Sequence, residues 1–263
     1  MDELIAAKRR SLDYLRAHKP LPLIKILAQE KDAPRHFLDH ISKPRPPEVL
    51  HIVSEIASPT HVPMIPKSLS LISMIEELDV TAISIKTWDK PGFCSEECLE
   101  KFFSSLIKET SKPILLNDLI IDEYQVYLAR ALGADSYTLY PGIIDTAELQ
   151  YFIEIGRDLN MEAWVSVRDE TVLPLALKTD AKILALQQDI LTQYVSKQDF
   201  PNIIDNIRTS NAYLEAPRII AVEESSCGTI KTEELKLFAS TGIEVLLTSL
   251  RCTPTESITH NRS

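Results

Sequence analysis

Residues 113 to 140 read Pro113-Ile114-Leu115-Leu116-Asn117-Asp118-Leu119-Ile120-Ile121-Asp122-Glu123-Tyr124-Gln125-Val126-Tyr127-Leu128-Ala129-Arg130-Ala131-Leu132-Gly133-Ala134-Asp135-Ser136-Tyr137-Thr138-Leu139-Tyr140. The apolar run at 114–116 is too short for a helix and predicts a buried strand. Asn117 and Asp118 turn the chain. From Asp122 the apolar residues Val126, Ala129 and Leu132 recur at helical spacing, with charge expected on the other face. Gly133 follows the last turn and suits a left-handed helix stop. A second strand, 136–140, comes at once. Strand, helix and strand joined by short connections make parallel strands with a right-handed crossover.

The same alternation extends in both directions. Strands are predicted at about 49–54, 81–86, 113–117, 135–140, 161–167, 182–187, 217–223 and 243–248. Helices fall between them, for example at 95–110, 146–159, 170–178 and 232–240. Ahead of the first strand, residues 3–18 form an amphipathic helix, with Leu4, Ile5, Leu12 and Leu15 on one side and Lys8, Arg9, Arg10 and Arg16 on a solvated side. Pro20 and Pro22 end it, a short helix follows over 21–28, and the proline-rich stretch 42–48 marks an internal boundary. Pattern alone admits an eight-fold barrel or a doubly wound open sheet.

Composition narrows the function. The chain has 263 residues, 44% hydrophobic and 25% charged, and can bury roughly 75% of its extended surface in one domain. A net charge of −10 argues against nucleic-acid binding, which needs a basic footprint. No apolar run approaches the roughly 20 residues of a membrane span, so no membrane partner is expected. Met1-Asp2-Glu3-Leu4 lacks the pattern of a signal peptide, and four cysteines in so long a chain fit a reducing cytoplasm. With six glycines, neither a G-x-G-x-x-G loop nor a P-loop occurs, and no cofactor is expected. Cys94 and Cys98 lack a second ligand pair, His36 and His40 are expected in solvent, and no metal site is predicted.

The stretch from 113 also carries a resemblance. It is similar to the segment P-V-L-x-K-D-F-I-x-D-x-Y-Q-I-x-x-A-R-x-x-G-A-D of indole-3-glycerol phosphate synthase, matching at Asp118, Ile120, Asp122, Tyr124, Gln125, Ala129, Arg130, Gly133, Ala134 and Asp135. The resemblance runs over nearly the whole chain and decides for an α/β fold, a (β/α)8 barrel. It implies one domain over 1–263: a helical extension at 1–45, the barrel at 46–252 and a polar, frayed tail at 253–263. It also implies the family reaction, in which carboxyphenylamino-deoxyribulose phosphate closes to an indole with loss of carbon dioxide and water. That chemistry needs a general acid, a second acid-base group, a cation for the carboxylate and donors for the phosphate.

The family positions for that work are occupied differently here. In the first strand, E-I-K-R-x-S-P-S becomes Ser54-Glu55-Ile56-Ala57-Ser58-Pro59-Thr60. An ungapped match puts Glu55 at the lysine and Val53 at the glutamate; a gapped match puts Glu55 at the glutamate and deletes the lysine. Neither leaves a cation in this loop. The general-acid lysine of the third strand is Asn117, and the catalytic glutamate of the fifth is Ser166. In the sixth, Gln187 replaces an asparagine, and in the seventh Glu224-Ser225 match E-S but Ser226 and Cys227 intervene before Gly228. In the eighth, Ser249 stands at the phosphate glycine. Lys86 is the one lysine placed near the mouth, read as a solvated strand-end residue. Ser58, Pro59, Ser225, Gly228 and Ser249 are the candidates for phosphate binding, and a phosphorylated small molecule is the implied ligand. The expectation is a homologue with the fold kept and the ring closure lost or nearly lost. The alternatives are a barrel repurposed for another sugar phosphate and a noncatalytic interaction or regulatory protein, with no protein partner identified.

Overall fold

A computed structural model of the chain describes residues 2–46, 49–60, 62–88, 95–195, 200–210, 218–224 and 230–249. In order, the elements are α1 (Asp2–His18), α2 (Leu21–Glu30), α3 (Phe37–Ile41), β1 (His51–Ala57), α4 (Ile65–Glu76), β2 (Ala82–Lys86), α5 (Glu96–Glu109), β3 (Ile114–Asn117), α6 (Glu123–Leu132), β4 (Ser136–Leu139), α7 (Thr146–Asp158), β5 (Glu162–Val167), α8 (Leu173–Leu177), β6 (Ile183–Gln187), α9 (Gln188–Val195), α10 (Phe200–Thr209), β7 (Ile219–Glu223), α11 (Thr232–Ser240) and β8 (Val245–Ser249). The eight strands pair in sequence order, all parallel, and β1 closes on β8. This is the (β/α)8 barrel, with helices ahead of its first strand.

The opening stretch folds as its residues dictate. The Asp122 side chain accepts the Tyr124 amide at 2.9 Å and caps α6, and Gly133 ends it at φ +98°. The face opposite the core is less polar in practice than expected, because Gln125 and Arg130 are buried too. Arg130 Nη1 donates to the Ala134 carbonyl at 2.8 Å and its Nη2 to the Asp32 carbonyl. Asp135 accepts the Ile114 and Arg35 amides at 2.8 and 2.7 Å. These residues stitch the helical extension to the barrel wall.

Two layers of apolar side chains follow. One lies between strands and helices and includes Ile72, Phe102, Leu106, Val126, Phe152 and Phe238. The other fills the barrel itself with Val53, Ala82, Leu115, Trp164, Ile183, Ala221 and Val245. Phe37 and Ile41 of α3 join the inner layer, Phe37 meeting Trp164 edge to face at 6.2 Å, so α3 stoppers the N-terminal end of the barrel. The opposite end stays open, and there the strand termini meet.

Three local expectations are corrected. The helix expected over 170–178 is confined to α8, because the Asp169 carboxylate accepts the Thr171 amide at 2.8 Å and turns the chain first. The strand expected at 49–54 runs instead to Ala57, since its ladder with β2 continues to the Ala57–Lys86 pair. Lys8 does not belong to a solvated face: its side chain is 13% exposed, and Nζ reaches both carboxylate oxygens of Asp118 at 2.7 and 2.6 Å. The expected tail, 253–263, lies outside the described residues. Among the described residues, no helix is long and apolar enough to cross a membrane.

Candidate active site at the barrel mouth

Strand periodicity decides what enters the mouth. Successive side chains alternate between the barrel interior and its outer face. Above the inner apolar layer, the next inward positions are Glu55 on β1, Lys86 on β2, Asn117 on β3 and Gln187 on β6. Glu223 on β7 and Arg168, just past β5, complete the set. These six residues line one cavity of about 310 Å³, together with Trp88, Tyr140, Glu224 and Leu247. Ser249 ends β8 directly opposite Glu55 in the ladder.

Asn117 is the centre of this arrangement. Its Nδ2 donates to Glu55 Oε2 at 2.6 Å, and its Oδ1 accepts from Trp88 Nε1 at 3.0 Å and Tyr140 Oη at 2.6 Å. Burial, and next the nearby Glu223 charge, push the Tyr140 phenol far above its ordinary value, so it stays protonated as a donor. Glu55 Oε2 also accepts from Ser84 Oγ at 3.1 Å, and Oε1 lies 3.7 Å from Lys86 Nζ. Lys86 is thus paired with an acid inside the mouth, where a solvated strand-end lysine was expected.

The β7 side of the mouth presents two carboxylates, Glu223 and Glu224. Ser166, at the expected glutamate position, donates its hydroxyl to Glu223 Oε2 at 2.7 Å, and Trp164 Nε1 donates to Glu223 Oε1 at 2.7 Å. Glu223, not Glu224, is therefore the inward carboxylate that Ser166 meets. Burial pushes the Glu223 carboxyl above its ordinary value, against the pull of the Ser166 and Trp164 bonds. Glu224 follows the strand, lines the same cavity and accepts from Thr248 Oγ1.

The mouth holds a second cation that the sequence reading missed. The Arg168 guanidinium carbon lies 4.6 Å from the ring centroids of both Trp88 and Tyr140. Trp88, Tyr140, Arg168 and Glu223 could each have been found from period two alone: Trp164, Ser166 and Arg168 share one face, as do Ile219, Ala221 and Glu223. The remaining candidates separate. Ser58 donates its amide to the Lys86 carbonyl at 2.8 Å, and the Pro59 carbonyl accepts from Cys98 Sγ at 3.5 Å; neither residue is among those lining the cavity. Ser225, Gly228 and Cys94 lie outside the described residues. His40 Nδ1 lies 2.9 Å from the His36 carbonyl, within one turn of chain.

The extension roofs one side of the mouth. Leu4 and Ile5 of α1 pack on Trp88, Leu119 and Tyr140, and the Lys8–Asp118 pair fastens the helix to the end of β3. Asp118 also accepts from Thr87 Oγ1 at 2.7 Å and Gln125 Nε2 at 3.3 Å. Chemically, the mouth can hold an anion at its cations and accept protons at its carboxylates, and its third strand presents an amide, Asn117.

Comparison with known proteins places this site in context. The family model described as indole-3-glycerol phosphate synthase matches residues 1–247. A protein of that name from Chloroherpeton thalassium is 29% identical over 254 residues, covering 94% of this chain and 92% of that protein. Another, from Thermoanaerobacter sp., is 26% identical over 253 residues, covering 94% and 89%. Among solved structures, the Pyrococcus furiosus tryptophan synthase complex superposes with a TM-score of 0.54 at 14% identity, covering 78% of this chain and 88% of that one. The 3-keto-L-gulonate-6-phosphate decarboxylase of Vibrio cholerae does so with 0.55 at 10% identity, covering 76% and 88%. At these identities the structural likeness speaks for the fold alone.

Proposed function

This chain belongs to the indole-3-glycerol phosphate synthase family, and from that membership we propose that it keeps the family's barrel while having lost, or nearly lost, the family's ring closure. The carrying observation is Asn117. It stands where the resemblance implies the general-acid lysine, and its amide is held on both ends by Glu55, Trp88 and Tyr140. An amide donates a hydrogen bond but delivers no proton. Ser166, at the expected glutamate, is bonded to Glu223 and is no acid-base group at neutral pH. A positioned general acid is worth about 10²- to 10⁴-fold and an electrostatic stabiliser about 10²- to 10³-fold. Their joint loss removes most of the acceleration, even when the effects overlap.

Lys86 and Arg168 do not replace the missing lysine. Lys86 sits one strand away, paired with Glu55, and an arginine is too weak an acid to transfer a proton at neutral pH. The two cations do support a second reading, the barrel repurposed for another small anion, a phosphorylated molecule among them. Under either reading the setting we propose is the cytoplasm. Complementation tests the first: a strain lacking the synthase, expressing this chain in folded form, should not grow without tryptophan. Growth at the rate given by an ordinary family member would overturn it.

A further inference from the structure

Arg168 brings a buried, unsatisfied donor to the mouth. Its guanidinium carbon lies 4.6 Å from the centroids of two rings that are themselves 5.3 Å apart at an interplanar angle of 70°. Those rings occupy its surroundings and strip water from it, which strengthens any in-plane electrostatic contact. Its Nε is buried and has no hydrogen-bond partner among the described residues. A buried donor without an acceptor is costly, so such a group calls for one. The neighbouring carboxylates are engaged elsewhere. Glu55 is taken by Ser84, Asn117 and Lys86, and Glu223 by Trp164 and Ser166.

We propose that Arg168 is the anion-holding residue of a small-molecule site in this mouth, and that the ligand is a compact carboxylic acid carrying a hydroxyl or amino group on the adjacent carbon. A planar guanidinium fork matches a planar carboxylate in two parallel bonds. The adjacent donor would meet Glu55 or Glu224, carboxylates that line the same cavity and can accept a further bond. Those two carboxylates also set the ligand's charge: they repel a phosphate dianion more strongly than a monoanion. The cavity, about 310 Å³, lies at the small end of the range for ligand sites. This goes beyond the loss of ring closure and stands whether or not residual ring closure is measured, because binding and turnover are read separately.

The test is an NMR titration of the full chain, following the indole N–H resonances of its two tryptophans, assigned with Trp88→Phe. The probes are glycerate, alanine, acetate and inorganic phosphate. Glycerate or alanine should move the Trp88 resonance saturably below about 10 mM, more tightly than acetate, and leave Trp164 in place. Arg168→Gln should weaken that binding at least about tenfold, with Arg168→Lys intermediate because it keeps the charge and loses the fork. Should Arg168→Gln not fold, the wild-type titration and Arg168→Lys decide alone. A Trp88 resonance unmoved by every probe, tighter binding of phosphate than of either acid, or equal affinity in an arginine variant that folds would overturn the proposal.

Discussion

Replacing Lys8 by methionine removes the cation that fastens the first helix over the mouth while keeping most of its apolar stem. The pair is largely dry, with side chains 13% and 11% exposed and Nζ within 2.7 Å of both Asp118 oxygens. Breaking a buried pair by removing one partner costs about 3–5 kcal/mol, since the other charge is left uncompensated. Thr87 and Gln125 still donate to Asp118, so the lower end, about 3 kcal/mol, is expected. For a domain of this size that lowers the unfolding midpoint by about 6–12 °C. The pH dependence gives a sharper signature. In the wild type, burial pushes the Asp118 carboxyl up, but the Lys8 ammonium, helped by the Thr87 hydroxyl and the Leu119 amide, offsets it and holds the carboxyl below its ordinary value. A depressed carboxyl contributes stability above about pH 3.9 that is lost as pH falls through the folded value. In Lys8→Met the ammonium is gone and burial prevails, so the carboxyl rises and the folded state takes up a proton before the unfolded chain does. The variant's deficit should therefore shrink as pH falls from about 7 to about 4. Urea unfolding of both proteins across that range measures it. A deficit under about 0.5 kcal/mol, or one independent of pH, would refute the reasoning.

Other substitutions probe the mouth and the wall. Asn117→Lys alone should leave indole formation at least about a hundredfold below family rates, because the new ammonium meets Glu55 and Ser166 still supplies no second acid-base group; a fluorescence assay of the product checks this. Glu223→Gln should alter the acid side of the stability profile. Burial raises the Glu223 carboxyl, so the wild type loses stability relative to the variant as pH rises from about 4 toward the raised folded value, which paired thermal melts would display. Gly156→Ala on α7 places a Cβ against the Tyr137 hydroxyl, which donates to the Phe152 carbonyl at 2.7 Å. Fixed packing on both sides makes this overpacking cost about 1–3 kcal/mol by chemical denaturation.

The barrel was legible because its determinants are local. The short apolar runs and Gly133 as a helix stop each act within a few residues and appear where the pattern placed them, while Asp122, from which the helical spacing was counted, proves to be the cap. The matched residues beyond these, Asp118, Gln125, Arg130 and Asp135, hold the extension and the strand ends together. They serve the architecture, so a chain can keep them whatever stands in its mouth. Position-by-position reading identified Asn117, Ser166 and Gln187, which face the barrel interior. It named Glu224 and passed over Glu223, because it followed a motif and not the alternation that turns Glu223 inward; both line the cavity. Lys8 and Lys86 were assigned to solvent because a lone charged residue gives no sign of a partner 110 residues away, as Asp118 is from Lys8. The Trp88–Arg168–Tyr140 cluster joins three strand ends, a coincidence in space that only barrel closure creates.

The most direct measurement of the central claim is steady-state turnover of carboxyphenylamino-deoxyribulose phosphate by the full chain, followed by indole fluorescence. With Asn117 and Ser166 where the family resemblance implies proton-transfer groups, turnover should be undetectable or at least about 10⁴-fold below an ordinary enzymatic rate of about 10 s⁻¹. Turnover within about a hundredfold of that rate would contradict the account and make the mouth, with Lys86 beside Glu55, a working catalyst.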